Sequence, residues 1–232
     1  MKEGTPVLVE VGNSTVKVAV LGLEGRMELR RYSSVERAVA TIGDQRQIVV
    51  DPHGLWSQGG SVRRIDHREF SRFVAGSYDA PAEIGLDRVL NLLGMEGDGV
   101  AVSCGTAITI DAIAGGRPCF GAILAGLRTT AAALHERIPA LPRIELDDPV
   151  GLPARSTKAS VANGILLGGM LAVDGLVRRV GELLFGGDPP GIVVTGGDAH
   201  ALASFWSGLA SPSPIVDELL LFRGMARHVG LL

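Results

Sequence analysis

Apolar and polar residues alternate along the first part of the chain, and the alternation breaks at glycines. Over PVLVEVGNSTVKVAVLGLEGRMELRRYSS the period is two, interrupted at Gly12-Asn13 and again at Gly25-Arg26. That pattern predicts three strands in an antiparallel meander. SVERAVATIGDQ is of helical length and opens at Ser34, a capping side chain, with Glu36 in the first turn. QIVVDPHG reads as a short buried strand entering a turn. The stretch EIGLDRVLNLLGM (83–95) predicts a helix that turns Val89, Leu90, Leu92 and Leu93 inward and stops at Gly94 or Gly97.

After GDG (97–99) the strand pattern restarts in VAVSCGTAITIDAI and CFGAILAGL. A helix over LRTTAAALHERI ends at Pro139 and gives way to a loop rich in Pro and Asp. The next helix covers KASVANGILLGGMLAVDGLVRRVGELL. Its glycines at 164, 168, 169 and 175 each cost about 1 kcal/mol against Ala, so they predict close packing on another helix or a partner chain. Strand IVVT runs into Gly196-Gly197, and PIVDELLLFRGMARHV predicts a closing helix after Pro214. The segment VLVEVGNSTVKVAVLGLEGR matches VAVSCGTAITIDAIAGGR in order: apolar strand, Gly with a hydroxyl or amide residue, apolar strand, Gly turn. The expectation is a duplicated α/β architecture with a ligand in the cleft between halves.

Composition narrows the class. With 46% hydrophobic residues the chain can bury a sizeable core, and no apolar run reaches the roughly 18–20 residues of a membrane span. The start, MKEGTPVLVEVGNS, is interrupted by an acid and too short in its apolar stretch for a signal peptide. Cys104 and Cys119 form neither CxxC nor metal-ligand spacing and read as reduced thiols of a cytoplasmic protein. A net charge of −3 without a basic run argues against nucleic acid. His53, His67, His135, His200 and His228 share no metal-site spacing, and no GxSxG elbow is present.

Four segments can carry chemistry. In residues 10–17 (EVGNSTVK), the turn at Gly12 and Asn13 can aim backbone N–H groups and hydroxyls at an anion, with Lys17 supplying positive charge; the same residues also suit a plain hairpin tip. Gly105-Thr106 has the same character, with Asp111 on the strand leaving it, and reads alternatively as a strand bulge. Asp87-Arg88 sits at a helix start: either a dipole-favoured acid with a solvated neighbour, or a base beside an anion-binding group. Gly196-Gly197 permits close approach of a flat group, or simply a strand-to-helix turn.

These stretches, in this order, resemble the type III pantothenate kinases of the acetate and sugar kinase/actin-like superfamily. The motifs that carry the resemblance are EVGNSTVK (10–17), Tyr78, GLDR (85–88), SCGTAITID (103–111), FGAILAGL (120–127), RST (155–157) and TGG (195–197). The resemblance implies two ribonuclease H-like halves, 1–98 and 99–232, each a mixed sheet with flanking helices. The second half would carry the dimerisation helix. It implies ATP-dependent phosphorylation of pantothenate to 4′-phosphopantothenate, the first step of coenzyme A synthesis. Glu10, Val11, Gly12, Asn13, Ser14, Thr15, Val16, Lys17 and Thr106 would bind ATP. Asp87 would be the catalytic base, and Tyr78, Gly85, Leu86, Arg88 and Thr157 would bind pantothenate with it. Thr157 would act across a homodimer interface. Glu10, where the family has Asp, would hold Mg²⁺ through water. Ser103 stands at the family's monovalent-cation Asp, so a K⁺ or NH₄⁺ site would be degenerate here. These two departures motivate the alternative of a catalytically weakened homologue acting as a ligand-binding regulatory or accessory protein.

Overall fold

A computed structural model describes residues 5–12, 15–22, 26–56, 61–206 and 213–232. Its strands and helices, in chain order, begin with β1 (Val7–Val11), β2 (Val16–Leu21), β3 (Met27–Tyr32), α1 (Val35–Ile42), β4 (Gln47–Val50), β5 (Val62–Arg64), α2 (Ser71–Val74) and α3 (Leu86–Gly94). They continue with β6 (Gly99–Cys104), β7 (Ala107–Ala114), β8 (Arg117–Ala125), α4 (Leu127–Arg137), α5 (Thr157–Ala162), α6 (Gly168–Phe185), β9 (Ile192–Thr195), α7 (Ala199–Trp206), β10 (Ile215–Val216) and α8 (Leu220–His228). A π-helical stretch, Asn163–Leu167, joins α5 to α6 without a break.

The chain divides into two compact units, Met1–Gly94 with Leu219–Leu232, and Met95–Glu218. In the first, the meander forms as the alternation requires: Val7, Val9, Val11, Val16 and Val18 face one cluster with Ala38 and Ile42 of α1. Ser34 caps α1 by accepting from the Arg37 N–H. The sheet order is β3-β2-β1-β4-β5, with β1 antiparallel to β2 and parallel to β4. In the second unit the order is β10-β9-β6-β7-β8, with β6 antiparallel to β7 and parallel to β9. The two sheets therefore share order and strand direction, and each unit is a ribonuclease H-like half. Between β7 and β8 the turn residues Gly115 and Gly116 have φ of 59° and 72°, and both N–H groups donate to the Asp98 carboxylate at 2.7 and 3.1 Å.

The domain boundary falls at 94/95 rather than 98/99, and the C-terminal residues 219–232 pack in the first unit, not the second. The reason lies in α8. Gly224 is so close to the Leu90 backbone that a Cβ would collide with it, and Gly94 stands in the same relation to the Leu220 carbonyl. Arg227 Nη1 donates to the Leu93 carbonyl at 2.9 Å. Phe222, Met225 and Ala226 are buried, at about 1.5–3 kcal/mol for each large apolar side chain. The helix also starts later than expected after Pro214, because Ile215 and Val216 first pair with Val193 and Val194 as β10.

The 29 residues from Thr157 to Phe185 form a helix long and apolar enough, by length and composition, to cross a membrane, although no uninterrupted apolar run in the sequence has that length. Here Met170, Val173 and Val177 belong to the core of the second unit. Asn163 pins the preceding loop by exchanging two 2.8 Å hydrogen bonds with the Gly151 backbone. Of the glycines, Gly169 packs on Leu127, whereas a Cβ at Gly164 or Gly175 would point into open space.

Candidate active site

In the first unit, Glu10 and Lys17 are direct partners across the β1–β2 ladder. Alternation puts them on the sheet face opposite Val9 and Val18. Lys17 Nζ lies 2.8 Å from Glu10 Oε2, both side chains largely covered. Oε2 is buried, with this charge as its neighbour and no hydrogen-bond donor directed at it. The turn closes through Gly12 N–H to the Thr15 carbonyl at 3.0 Å. A Cβ at Gly12 would stand 3.1 Å from Glu10 Oε1 and 3.2 Å from the Thr15 oxygen, so glycine keeps the carboxylate clear. Val11 and Val16 are buried wall residues and Thr15 is exposed at the tip; Asn13 and Ser14 lie outside the described residues.

The same unit holds Tyr78, half-buried in the segment before α3. Helix α3 opens at Gly85, whose carbonyl accepts from Arg88 and Val89 N–H. Asp87 is exposed in the first turn, where the helix dipole favours a carboxylate. Its Oδ1 occupies the place a Gly85 Cβ would take, so any side chain at 85 would displace it. Leu86 and Arg88 are buried beside it, Arg88 at 5% exposure.

In the second unit the Gly105-Thr106 turn is held from two sides. The Thr106 carbonyl accepts from Gly126 N–H at 2.9 Å and from Thr129 Oγ1 at 2.7 Å, both at the start of α4. The Cys104 carbonyl accepts from Asp198 N–H at 3.0 Å, and Gly196, at φ 98°, rests against the Cys104 backbone with no room for a Cβ. Arg128 Nε donates to Asp198 Oδ1 at 3.0 Å, tying α4 to the turn after β9. Burial, with the Asp198 carboxylate adding to it, pushes the Cys104 thiol up to about 12, so it stays protonated. The two halves of this cradle are 70 residues apart in sequence, and the local pattern gave no sign of Thr129, Arg128 or Asp198.

Ser103 lies beside Thr109 on β7 and Thr195 on β9, so three hydroxyl residues stand side by side on one sheet face. Asp111 is buried, and its Oδ1 accepts from Gly121 N–H at 3.3 Å across a β-bulge, a structural use of that carboxylate. Thr157 is exposed at the first position of α5, after Ser156 caps the helix through Ala159 N–H.

The candidate residues are thus divided between the units: Glu10 to Lys17, Tyr78 and Gly85 to Arg88 in one, Ser103, Thr106 and Thr157 in the other. Among the described residues no three of His, Cys, Asp or Glu gather as a metal cage. Mg²⁺ needs none, since it retains waters and takes one or two carboxylates with substrate phosphates. The Glu10 carboxylate, paired with Lys17 and kept clear by the absence of a side chain at Gly12, is of the type that use requires.

A family model described as type III pantothenate kinase matches residues 57–179. A protein of that name from Chlorobium luteolum is 30% identical over 258 aligned positions, covering 97% of this chain and 93% of the relative. Another from Halorhodospira halophila is 30% identical, covering 85% and 89% respectively. A crystal structure from Campylobacter jejuni, named for the Baf family of transcriptional activators, superposes with a TM-score of 0.68 at 21% identity over 97% of both chains. That likeness concerns the fold.

Proposed function

The chain belongs to the type III pantothenate kinase family, and we infer from this that it transfers the γ-phosphoryl group of ATP to pantothenate. The product is 4′-phosphopantothenate, the first intermediate on the way to coenzyme A. The observation that carries the reading to individual residues is Asp87: an exposed carboxylate in the first turn of α3, seated over Gly85 and followed by the buried Arg88.

Phosphoryl transfer depends on positioning and charge neutralisation more than on covalent help, because the transition state is loose and polyanionic. We assign Asp87 to accept the proton of the primary hydroxyl as it attacks, and Arg88 to fix the anionic end of pantothenate, with Gly85, Leu86 and Tyr78 lining the same pocket. Residues 10–17 receive phosphate through backbone N–H groups and Lys17, and Thr106 does so from its own turn. Mg²⁺, held through water at Glu10, would neutralise phosphate charge. Ser103 supplies a neutral hydroxyl where the family has a carboxylate, so a bound monovalent cation, K⁺ or NH₄⁺, is weak or dispensable here.

A homodimer is supported by the outer face of the long helix. Gly164, Gly168, Leu171, Ala172 and Gly175 are all exposed, Leu171 by 51%, and recur at three- and four-residue spacing. A stripe of small residues lets a second backbone approach closely, and Thr157 at the head of the helix would then reach the partner's pantothenate. Two free cysteines, one of them buried, agree with a cytoplasmic location.

The test is a coupled assay with pantothenate, ATP and Mg²⁺. Purified protein should turn over, and Asp87→Asn should lower kcat by about 10²–10⁴-fold. An Asn variant with the wild-type rate overturns the assignment of the base.

A further inference from the structure

Residues three and four apart share one face of a helix. On α3 this places Asn91 one turn beyond both Asp87 and Arg88, while the contact with α8 runs through Leu90, Leu93 and Gly94. Asn91 is 4% exposed, and its Oδ1 is buried without any hydrogen-bond partner. Buried polar atoms are nearly always paired, because desolvation without a replacement bond is costly. Among the described residues only two buried side-chain atoms lack a hydrogen-bond partner, Asn91 Oδ1 and Glu10 Oε2, and the latter has the Lys17 ammonium 2.8 Å away. The second belongs to the phosphate turn. A buried helix position flanked by Leu90 and Leu92 would be filled at lower cost by an apolar residue, so the acceptor is left for a donor from outside the chain, a water or a ligand.

We propose that Asn91 is a further substrate-binding residue, whose Oδ1 accepts a hydrogen bond from a neutral donor of pantothenate, its secondary hydroxyl or its amide N–H. The assignment rests on the reading of Asp87 and Arg88 as the pantothenate site. Asp87 then handles the reacting hydroxyl, Arg88 the anionic end, and Asn91 reads the polar group between them. It adds orientation to charge pairing: a substrate held at three points presents its primary hydroxyl in one direction.

Steady-state kinetics on the full-length protein test this. Asn91→Leu keeps the volume and removes the acceptor. KM for pantothenate should rise about tenfold, the ordinary effect of stranding one buried donor, with KM for ATP unchanged. The melting temperature should hold or rise, because an unpaired buried acceptor has been replaced by carbon. Asn91→Ala, followed by calorimetric titration with pantothenate alone, gives a second reading should the Leu variant fold poorly. Wild-type protein with 2-deoxypantothenate, or with the ester that replaces the amide, should show the same penalty for whichever donor is used, and that penalty should vanish in the Asn91 variants. Unchanged pantothenate affinity in both variants, or no penalty with either analogue, overturns the proposal. If Asp87→Asn is fully active, the site reading itself has failed; loss of activity there with unchanged Asn91 kinetics defeats only the role of Asn91.

Discussion

Lys17 Nζ stands 2.8 Å from Glu10 Oε2, the two residues being direct partners on adjacent antiparallel strands. The ends of the β1–β2 turn therefore carry an internally paired charge. On the proposed reading of residues 10–17, a bound phosphate would compete with Glu10 for the Lys17 ammonium, and the carboxylate would then be available to hold a hydrated Mg²⁺. Lys17→Ala should lower kcat/KM for ATP about a hundredfold, in line with removal of one charge-stabilising donor. Glu10→Gln should raise the Mg²⁺ concentration needed for half-maximal rate while leaving pantothenate binding intact. Initial rates over an Mg²⁺ series check both; an unchanged Mg²⁺ midpoint in the Gln variant removes Glu10 from the metal's reach.

At Gly85 the group that a side chain would meet is the Asp87 carboxylate, not the backbone. The φ of Gly85 lies outside the left-handed region. Gly85→Ala should lower kcat about a hundredfold, as a shift of about 1 Å in a catalytic group does, with little loss of thermal stability. Equal activity in the Ala variant would mean that the seat of Asp87 over Gly85 has no part in catalysis.

Ser103 bears on cation dependence. With three neutral hydroxyl residues in a row and no carboxylate at 103, replacing K⁺ by Na⁺ should change the rate less than twofold. Ser103→Asp should create a K⁺ dependence. A strong K⁺ requirement in the unaltered protein would contradict this.

The exposed stripe on the long helix predicts association. Leu171→Glu places a charge within it and should convert a dimer to a monomer by light scattering, with the pantothenate KM rising if Thr157 acts across the interface. A monomeric wild-type protein would refute the stripe's role.

Asp51 predicts an acid-sensitive contribution to stability. Burial by itself raises its carboxyl, but hydrogen bonds from Trp56 and Leu55 N–H and the Arg64 guanidinium outweigh that and hold it below the ordinary range. The folded state thus favours the ionised form. The stabilisation is complete above the unfolded value near about 4 and is lost as pH falls through the lower folded value. Urea denaturation should show Asp51→Asn less stable by about 2 kcal/mol at pH 7, the gap narrowing below about pH 4. A gap independent of pH would rule out titration of Asp51 as its source.

Much of the architecture was legible in the sequence because it is written in local periods. Strands β1–β3 and β6–β8 follow from apolar alternation broken at turn glycines, and their repetition announced two similar halves. The turn residues 10–17, Gly105-Thr106 and the Asp87-Arg88 pair stood out for the same reason, since each is a contiguous motif whose residue types suit an anion or a proton. What could not be read is whatever depends on contacts between distant segments. The C-terminal helix gave no sign that it would pack on α3, because the complementarity of Gly224 with the Leu90 backbone exists only after folding. The clasp of Arg128 on Asp198 joins residues with no sequence relation, and the unpartnered state of Asn91 is a property of its surroundings. Sequence by itself determined the elements, their duplication and the chemistry on offer. Tertiary structure decided which groups are buried, which are paired and which acceptors are left open, because burial and pairing are set by neighbours that the chain supplies only once it has folded.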